Sequence, residues 1–228
     1  MKKLFDDLWQ TTPEHPLSEF PDIISHAYLL VRDEGNIMFY STGREAIDPV
    51  TDEDDLEYIR ALGGIRRQYL GHWHEATPAL ARIKQIFKSD LCCHTLEDEA
   101  IHKASGVHAD LTFHDHAMHL GAIEVIPSPG HTKGSTCYRY QSPYGKTYLF
   151  TGDTLIINDD GVWNNGYLPG GESDKTDLKE TLGILRELKP DVVFFAASND
   201  RFPFKEVTNE EWESAIDEAI HPLKKETS

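Results

Sequence analysis

Three short segments of this chain each place a side chain that can bind a metal directly after an apolar, strand-like run. The segments are residues 71–76 (GHWHEA), 127–135 (PSPGHTKGS) and 150–154 (FTGDT), and their metal-competent side chains are His72, His74, His131 and Asp153. Loops at the ends of strands are where α/β folds usually place their chemistry. The three segments therefore predict an α/β fold whose metal site is built from such loops.

The spacing within two of these segments favours metal binding. Residues i and i+2 of an extended loop project to the same side, so His72 and His74 can chelate one ion. Around His131, a proline and two glycines predict a tight bend that presents the imidazole ring.

Apolar periodicity alternates between strand-like and helix-like segments along most of the chain. Predicted strands cover 26–31, 36–40, 65–70, 90–93, 111–113, 123–126, 135–140, 147–150 and 191–195, and predicted helices cover 55–62, a segment after Thr77-Pro78, 96–104, 177–188 and 209–219. We expect 111–113 to pair with 123–126, and 135–140 with 147–150, across turns rich in glycine and proline. Helices that alternate with this many strands predict a layered α/β sandwich.

Composition narrows the class of protein further. A length of 228 residues predicts one compact domain over 1–228. The net charge of -17 would repel phosphate backbones and anionic lipids, so we expect a small-molecule substrate and neither a nucleic-acid nor a membrane partner.

Three cysteines, two of them adjacent, make a poor disulfide framework, which favours a cytoplasmic location. No pattern indicates an oligomeric state.

The combined motifs resemble the metallo-β-lactamase superfamily, whose members include glyoxalase II, lactonases, persulfide dioxygenases and several nucleases. The likeness rests on Pro-Gly-His-Thr-x-Gly-Ser at 129–135 and Phe-Thr-Gly-Asp-Thr at 150–154, and it spans most of the chain. It implies the four-layer αββα sandwich of that family, in its glyoxalase II-like hydrolase branch. It also implies the roles of four residues: the first metal is bound by His72, His74 and His131, and the bridging carboxylate is Asp153.

Departures from the family pattern cluster at the second metal site. Where family members with two metals carry Asp-His after His-x-His-x, this chain has Ala76 and Thr77, and a histidine that normally follows the last core strand is missing from 196–199. The family's Asp-Thr-Gly reads Ser-Thr-Gly at 41–43, so a further aspartate that supports the ligands is missing too. Losses confined to one site predict a protein with one divalent metal ion.

The single metal ion could be either of two elements, zinc or iron, given the residues that remain. Three neutral imidazoles with an open fourth position favour zinc, which lowers the pKa of bound water to about 7 and polarises a carbonyl group. Asp153 then completes the ligand set or accepts the proton of the water. If only His72, His131 and Asp153 bind, the set becomes a two-histidine, one-carboxylate triad suited to iron(II) and oxygen.

Other candidate groups are interpreted as structural. We expect His114, His116 and His119 to be exposed loop histidines, because they fall in a predicted hairpin turn without a partner motif. We expect Cys92 and Cys93 to be buried thiols, since adjacent strand residues point to opposite faces. Glu75 is interpreted as a solvated carboxylate at a helix entrance.

Three functions remain open. The leading hypothesis is a metal-dependent hydrolase acting on a small ester, thioester or lactone. The second is an iron-dependent oxygenase similar to the persulfide dioxygenases. The third is a catalytically silent relative that binds a ligand or partner, because the missing residues would disable most hydrolases of this fold and fold does not imply function.

Overall fold

The computed structural model describes residues 1–13, 23–41, 49–158, 160–198 and 202–224. Contacts within the chain divide it into two compact units, Met1–Phe113 and His114–Ser228. A single domain over 1–228 stays a prediction.

The first unit is built on a seven-stranded sheet with the order β1-β2-β4-β5-β6-β7-β8. Its strands, with the short β3, are β1 (Lys2–Phe5), β2 (Leu8–Gln10), β3 (Ile24–Ser25), β4 (Tyr28–Leu30), β5 (Ile37–Phe39), β6 (Arg67–Tyr69), β7 (Asp90–His94) and β8 (Leu111–Phe113). Pairing is antiparallel from β1 to β5, so the predicted strands 26–31 and 36–40 form a hairpin, and it is parallel from β5 to β8. Every residue of β4 and β5 is buried, as expected for central strands covered on both faces.

Helices connect the parallel strands of this unit. They are α1 (Pro49–Ala61), α2 (Ala79–Phe87) and α3 (Asp98–Ser105). Parallel neighbours need such crossovers, because a tight turn cannot return the chain in the same direction. Helix α2 buries Leu80 and Ile83, and Leu80 packs with Leu70, Leu91 and Ile101 in a core region next to the end of β6.

One predicted strand pairing is wrong. Residues 111–113 form β8, which pairs in parallel with β7 at the edge of the first sheet and not with 123–126. The partner of 123–126 is instead a strand at Ala117–His119, in the segment predicted as a turn. Edge strands need no continuous apolar run, since one side faces solvent, so this polar segment lacked a strand signal.

The second unit is built on a six-stranded sheet with the order β17-β15-β12-β11-β10-β9. Its strands, with β13, β14 and β16 outside that sheet, are β9 (Ala117–His119), β10 (Ile123–Pro127), β11 (Thr136–Gln141), β12 (Thr147–Gly152), β13 (Leu155–Ile157), β14 (Trp163–Asn165), β15 (Val192–Phe195), β16 (Ala197–Ser198) and β17 (Phe204–Glu206). The predicted pairing of 135–140 with 147–150 is confirmed by the antiparallel ladder of β11 and β12.

Two helices, α4 (Lys175–Arg186) and α5 (Asn209–Ile220), complete the second unit. Trp212 of α5 is fully buried, and its indole N–H donates to the Leu185 carbonyl of α4 at 3.1 Å. The ring packs in one core region with Val193 and Phe195 of β15. Both units are mixed α and β, as predicted. Among the described residues, no helix combines the length and the apolar character that a bilayer crossing requires.

Candidate metal centre

His72 and His74 lie in a tight turn that follows β6. His72 has an extended backbone, with φ -166° and ψ 172°, and residues Trp73–Glu75 form one turn of 3-10 helix. The imidazole rings of His72 and His74 are 5.0 Å apart between centroids and almost perpendicular, at 86°. The predicted extended loop is therefore wrong, although the two histidines do lie close together. The turn closes because Ala76 donates its N–H to the Trp73 carbonyl at 2.9 Å.

Two buried carboxylates hold this turn. Glu97 accepts the Trp73 N–H at 2.8 Å, and Glu75 accepts the Gly71 N–H at 2.8 Å. The other carboxylate oxygen of Glu75 lies 3.0 Å from Nδ1 of His72. Glu75 is only 7% exposed, so its interpretation as a solvated carboxylate is wrong. The misreading arose because the 3-10 turn folds position 75 back over position 72, which the sequence pattern did not indicate.

The loop that presents His131 is anchored on helix α4. Gly130 has φ +133°, and a Cβ atom there would lie 2.4 Å from Cα of Leu178, so no larger residue fits without a shift. The Asp174 N–H donates to the Gly130 carbonyl at 2.9 Å, and the Ser173 hydroxyl donates to the His131 carbonyl at 2.7 Å. The bend predicted from the glycines and prolines is present, and the start of α4 fixes its position.

The His131 ring is oriented by the backbone of Gly166. Nδ1 of His131 lies 2.6 Å from the Gly166 carbonyl oxygen. A carbonyl only accepts, so Nδ1 carries the proton and Nε2 keeps the lone pair that a metal requires. A Cβ atom at position 166 would lie 1.8 Å from the Asp153 carbonyl oxygen. Sequence reasoning missed Gly166, because a glycine has no metal-binding side chain to signal its role.

Asp153 lies directly after β12. Its carboxylate oxygen Oδ2 is 3.9 Å from Nε2 of His131, and its side chain is 22% exposed. The turn is closed by the Thr154 N–H, which donates to the Thr151 carbonyl at 3.0 Å. Asp153 therefore stands beside the ring nitrogen of His131 that keeps its lone pair, although its role as a ligand stays a prediction.

Three of the predicted ligands form a group that could hold a metal ion. One ligand atom from each of His72, His74 and His131 lies within 4.8 Å of the other two. Ligand nitrogens around a tetrahedral zinc ion at 2.0–2.1 Å stand roughly 3.4 Å apart, so these donors fit one ion after small side-chain shifts. The fit is supported at His131, where the hydrogen bond to Gly166 leaves Nε2 unprotonated.

The positions at which the family pattern has ligands of a second metal hold residues without a carboxylate or an imidazole. Thr77 is buried, and its hydroxyl oxygen lies 3.3 Å from the Ala79 N–H at the start of α2 and 3.5 Å from the Ser41 hydroxyl. Ala196 is buried at the end of β15. Ser41, which stands where the family pattern has an aspartate, is buried, and position 199 lies outside the described residues.

The histidines near the predicted hairpin turn lie beside carboxylates at the surface. His114 pairs with Asp115 at 2.9 Å, and His116 pairs with Glu124 at 3.0 Å. His119 belongs to β9 and is half-buried, so its interpretation as an exposed loop residue is wrong. Within the part of the chain that the structure describes, these histidines do not join any group of three or more metal-competent side chains.

Cys92 and Cys93 are buried and form no disulfide, as predicted, and Cys137 is buried as well. Burial raises the pKa of the Cys92 thiol to about 12 and raises the pKa of Cys93 as well. Such thiols stay protonated at neutral pH, and the thiolate is the form that binds metals or attacks electrophiles.

A protein-family model matches the part of the chain that contains the candidate metal centre. Residues 71–197 match the family described as the metallo-beta-lactamase superfamily, which is more than half of the chain. The matched stretch contains all four predicted site residues. No sequence among curated proteins matches significantly.

Solved structures resemble the whole chain. A metallo-beta-lactamase from Pontibacter korlensis is 18% identical with a TM-score of 0.72, and the match covers 99% of this chain and 98% of that one. The mono-zinc form of the metallo-beta-lactamase FIM-1 from Pseudomonas aeruginosa is 14% identical, with a TM-score of 0.71 and coverage of 98% and 96%. An archaeal superfamily protein from Sulfolobus tokodaii is 19% identical, with a TM-score of 0.60 and coverage of 92% and 84%. At such identities the likeness shows the fold alone, and it confirms the predicted fold class.

Proposed function

Because the chain belongs to the metallo-beta-lactamase superfamily, we propose that it is a metal-dependent hydrolase that acts with one metal ion on a small ester, thioester or lactone. The observation that carries this proposal is the group of three imidazoles from His72, His74 and His131. This donor set is typical of catalytic zinc, which keeps an open fourth position. A bound zinc ion would polarise a carbonyl group and lower the pKa of water to about 7.

The residues of the chain have distinct parts in this proposal. His131 is held in the tautomer that keeps Nε2 unprotonated, because its Nδ1 proton is donated to the Gly166 carbonyl. Asp153 has an oxygen 3.9 Å from that Nε2 atom. We assign Oδ2 of Asp153 as the acceptor of the proton that the attacking water loses, since a general base must lie within reach of that water.

A single metal ion is supported by the residues at the second-site positions. Ala76 offers no ligand atom, and the Thr77 hydroxyl lies at hydrogen-bonding distance from the first amide of α2. The structure of FIM-1 in a mono-zinc form indicates that a chain of this fold can hold one zinc ion. We therefore propose a mononuclear centre, with zinc favoured over iron.

The substrate class follows from the metal count and the charge. Phosphodiester cleavage commonly uses two ions that clamp the attacking and leaving oxygens. A net charge of -17 also disfavours nucleic acid as a substrate. Hydrolysis at the carbonyl carbon of a small ester, thioester or lactone needs no second metal ion and no contact with nucleic acid. We therefore propose that the chain is similar in function to the glyoxalase II-like hydrolases.

The test is a panel of aryl esters, acyl thioesters and lactones with zinc-loaded protein. We expect turnover of at least one class, a loss on the order of 100-fold or more in His131→Ala, and a loss on the order of 10² to 10⁴ in Asp153→Asn, as for a missing general base. The surface variant His116→Ala is the matched control and keeps wild-type activity.

Three outcomes would overturn the proposal. Zinc-loaded protein without turnover of any class would favour a silent binding protein. Hydrolysis that survives in His131→Ala would place the chemistry elsewhere. Oxygen consumption with a persulfide substrate in iron-loaded protein would instead favour the dioxygenase-like alternative.

A further inference from the structure

Glu75 is placed to act on a predicted metal ligand. The 3-10 turn at Trp73–Glu75 brings its carboxylate back to His72, so that one oxygen lies 3.0 Å from Nδ1 of the ring. Its second oxygen accepts the Gly71 N–H at 2.8 Å. With one oxygen at a backbone amide and the other at the imidazole, the carboxylate has a fixed orientation.

This contact selects one tautomer of His72. The contact is electrostatic: the negative charge of a carboxylate oxygen 3.0 Å from Nδ1 disfavours a lone pair on that atom and favours a proton there. The lone pair of the ring then resides on Nε2, which is the state that binds a metal.

The partner of His72 differs in charge from the partner of His131. At His131 a neutral carbonyl, that of Gly166, receives the Nδ1 proton. At His72 the group beside Nδ1 is a buried carboxylate, whose negative charge makes Nε2 of the ring a stronger ligand for a cation.

We propose that Glu75 is a positioning residue for His72, which fixes the Nε2 tautomer and strengthens binding of the metal ion. The inference rests on the proposed metal centre and assigns the residue that supports it. It also assigns a carboxylate beside the ligands in a chain whose residues 41–43 lack the aspartate that the family pattern has there.

The test measures metal binding separately from activity. Zinc affinity is determined by competition with a chromophoric chelator, and the visible spectrum of the cobalt-substituted protein reports the ligand geometry. We expect Glu75→Gln to weaken zinc binding by about 10- to 100-fold and to shift the cobalt bands, because the amide keeps the shape but loses the charge. Glu75→Asp should restore part of the affinity, and the exposed Glu99→Gln on α3 is the control without effect.

The result that would overturn the inference is a Glu75→Gln variant with wild-type zinc affinity and an unchanged cobalt spectrum, while His131→Ala loses binding. If the wild-type protein binds no zinc, or if His131→Ala binds zinc as the wild type does, the proposed metal centre is contradicted, and the inference about Glu75 fails with it. If Glu75→Gln fails to fold, Glu75→Asp decides: an intermediate affinity supports the role, and wild-type affinity contradicts it.

Discussion

His131 depends on a glycine far along the chain, and substitution of that glycine tests how the ring is held. A Cβ atom at Gly166 would meet the Asp153 carbonyl oxygen at 1.8 Å and Nδ1 of His131 at 3.0 Å. We expect Gly166→Ala to displace the His131 ring, to weaken zinc binding by about 10-fold or more, and to lower the free energy of unfolding by about 1–3 kcal/mol. Chelator competition and urea denaturation of the metal-free protein measure the two effects.

Gly183 provides a matched control for this substitution. It is exposed in helix α4, and an added Cβ atom would meet no heavy atom within 4 Å. Gly183→Ala should therefore raise the free energy of unfolding by about 0.5–1 kcal/mol, because alanine loses less conformational freedom in a helix. Unchanged zinc affinity in Gly166→Ala would contradict the role assigned to the Gly166 carbonyl.

At the scale of residues, the sequence predicted the metal-binding side chains better than the groups that orient them. His72, His74 and His131 could be found because a metal-binding residue type followed each apolar run. Gly166 could not, since its contribution is a backbone oxygen that reaches a residue 35 positions away. Glu75 was identified as an acid but assigned to solvent, because its burial depends on one turn of 3-10 helix.

At the scale of elements, the paired strands β6 and β7 concentrate groups that resist deprotonation. Tyr69 of β6 lies opposite Cys92 of β7 in the ladder, and Cys93 follows. All three are fully buried. Desolvation raises the pKa of Tyr69 and of Cys92 to about 12, and it raises that of Cys93 also. These strands therefore hold protons that the unfolded chain would release.

This arrangement predicts that stability falls with rising alkaline pH. The ordinary pKa is 9.0 for a cysteine thiol and 10.0 for a tyrosine hydroxyl, so above about pH 9 the unfolded state loses protons that the folded state keeps. Each such group lowers the free energy of unfolding by about 1.4 kcal/mol per pH unit between its unfolded and folded pKa. Its contribution is fully present below the unfolded pKa and is lost as the pH approaches about 12.

Urea denaturation between about pH 8 and 11 checks this prediction, since that range spans the unfolded pKa of both residue types. Cys92→Ala removes one of the titrating groups, so its free energy of unfolding should fall less steeply with pH than that of the wild type. Identical slopes for the two proteins would contradict the assignment. The comparison uses slopes because the cavity left by alanine changes the stability by a constant amount.

Elements with continuous apolar runs were predicted well, and polar edge elements were not. The strands β4, β5, β12 and β15 are wholly buried, which is why a run of apolar residues marked each of them. In contrast, β9 is an edge strand with an exposed Met118, and β1 begins with two exposed lysines. Strand pairing was misassigned at β8, since the sheet that a short edge strand joins depends on contacts distant in sequence.

At the scale of the whole molecule, the family match and the structural likeness extend over different lengths. The family match covers 71–197, where the predicted ligands lie, whereas the fold of the Pontibacter korlensis enzyme covers 99% of the chain. The fold class was accessible from the sequence because two motifs fix the loops between core strands. The number of metal ions is a property of the assembled centre, and the sequence predicts it only through the residues that are missing.

The most direct test of the account is the metal stoichiometry of the folded chain. Native mass spectrometry of zinc-saturated protein should show a mass increase of one zinc ion per chain. The His72→Ala/His131→Ala double variant, which loses two of the three imidazoles, should show none. Two zinc ions per wild-type chain, or no zinc in the wild type, would contradict the account.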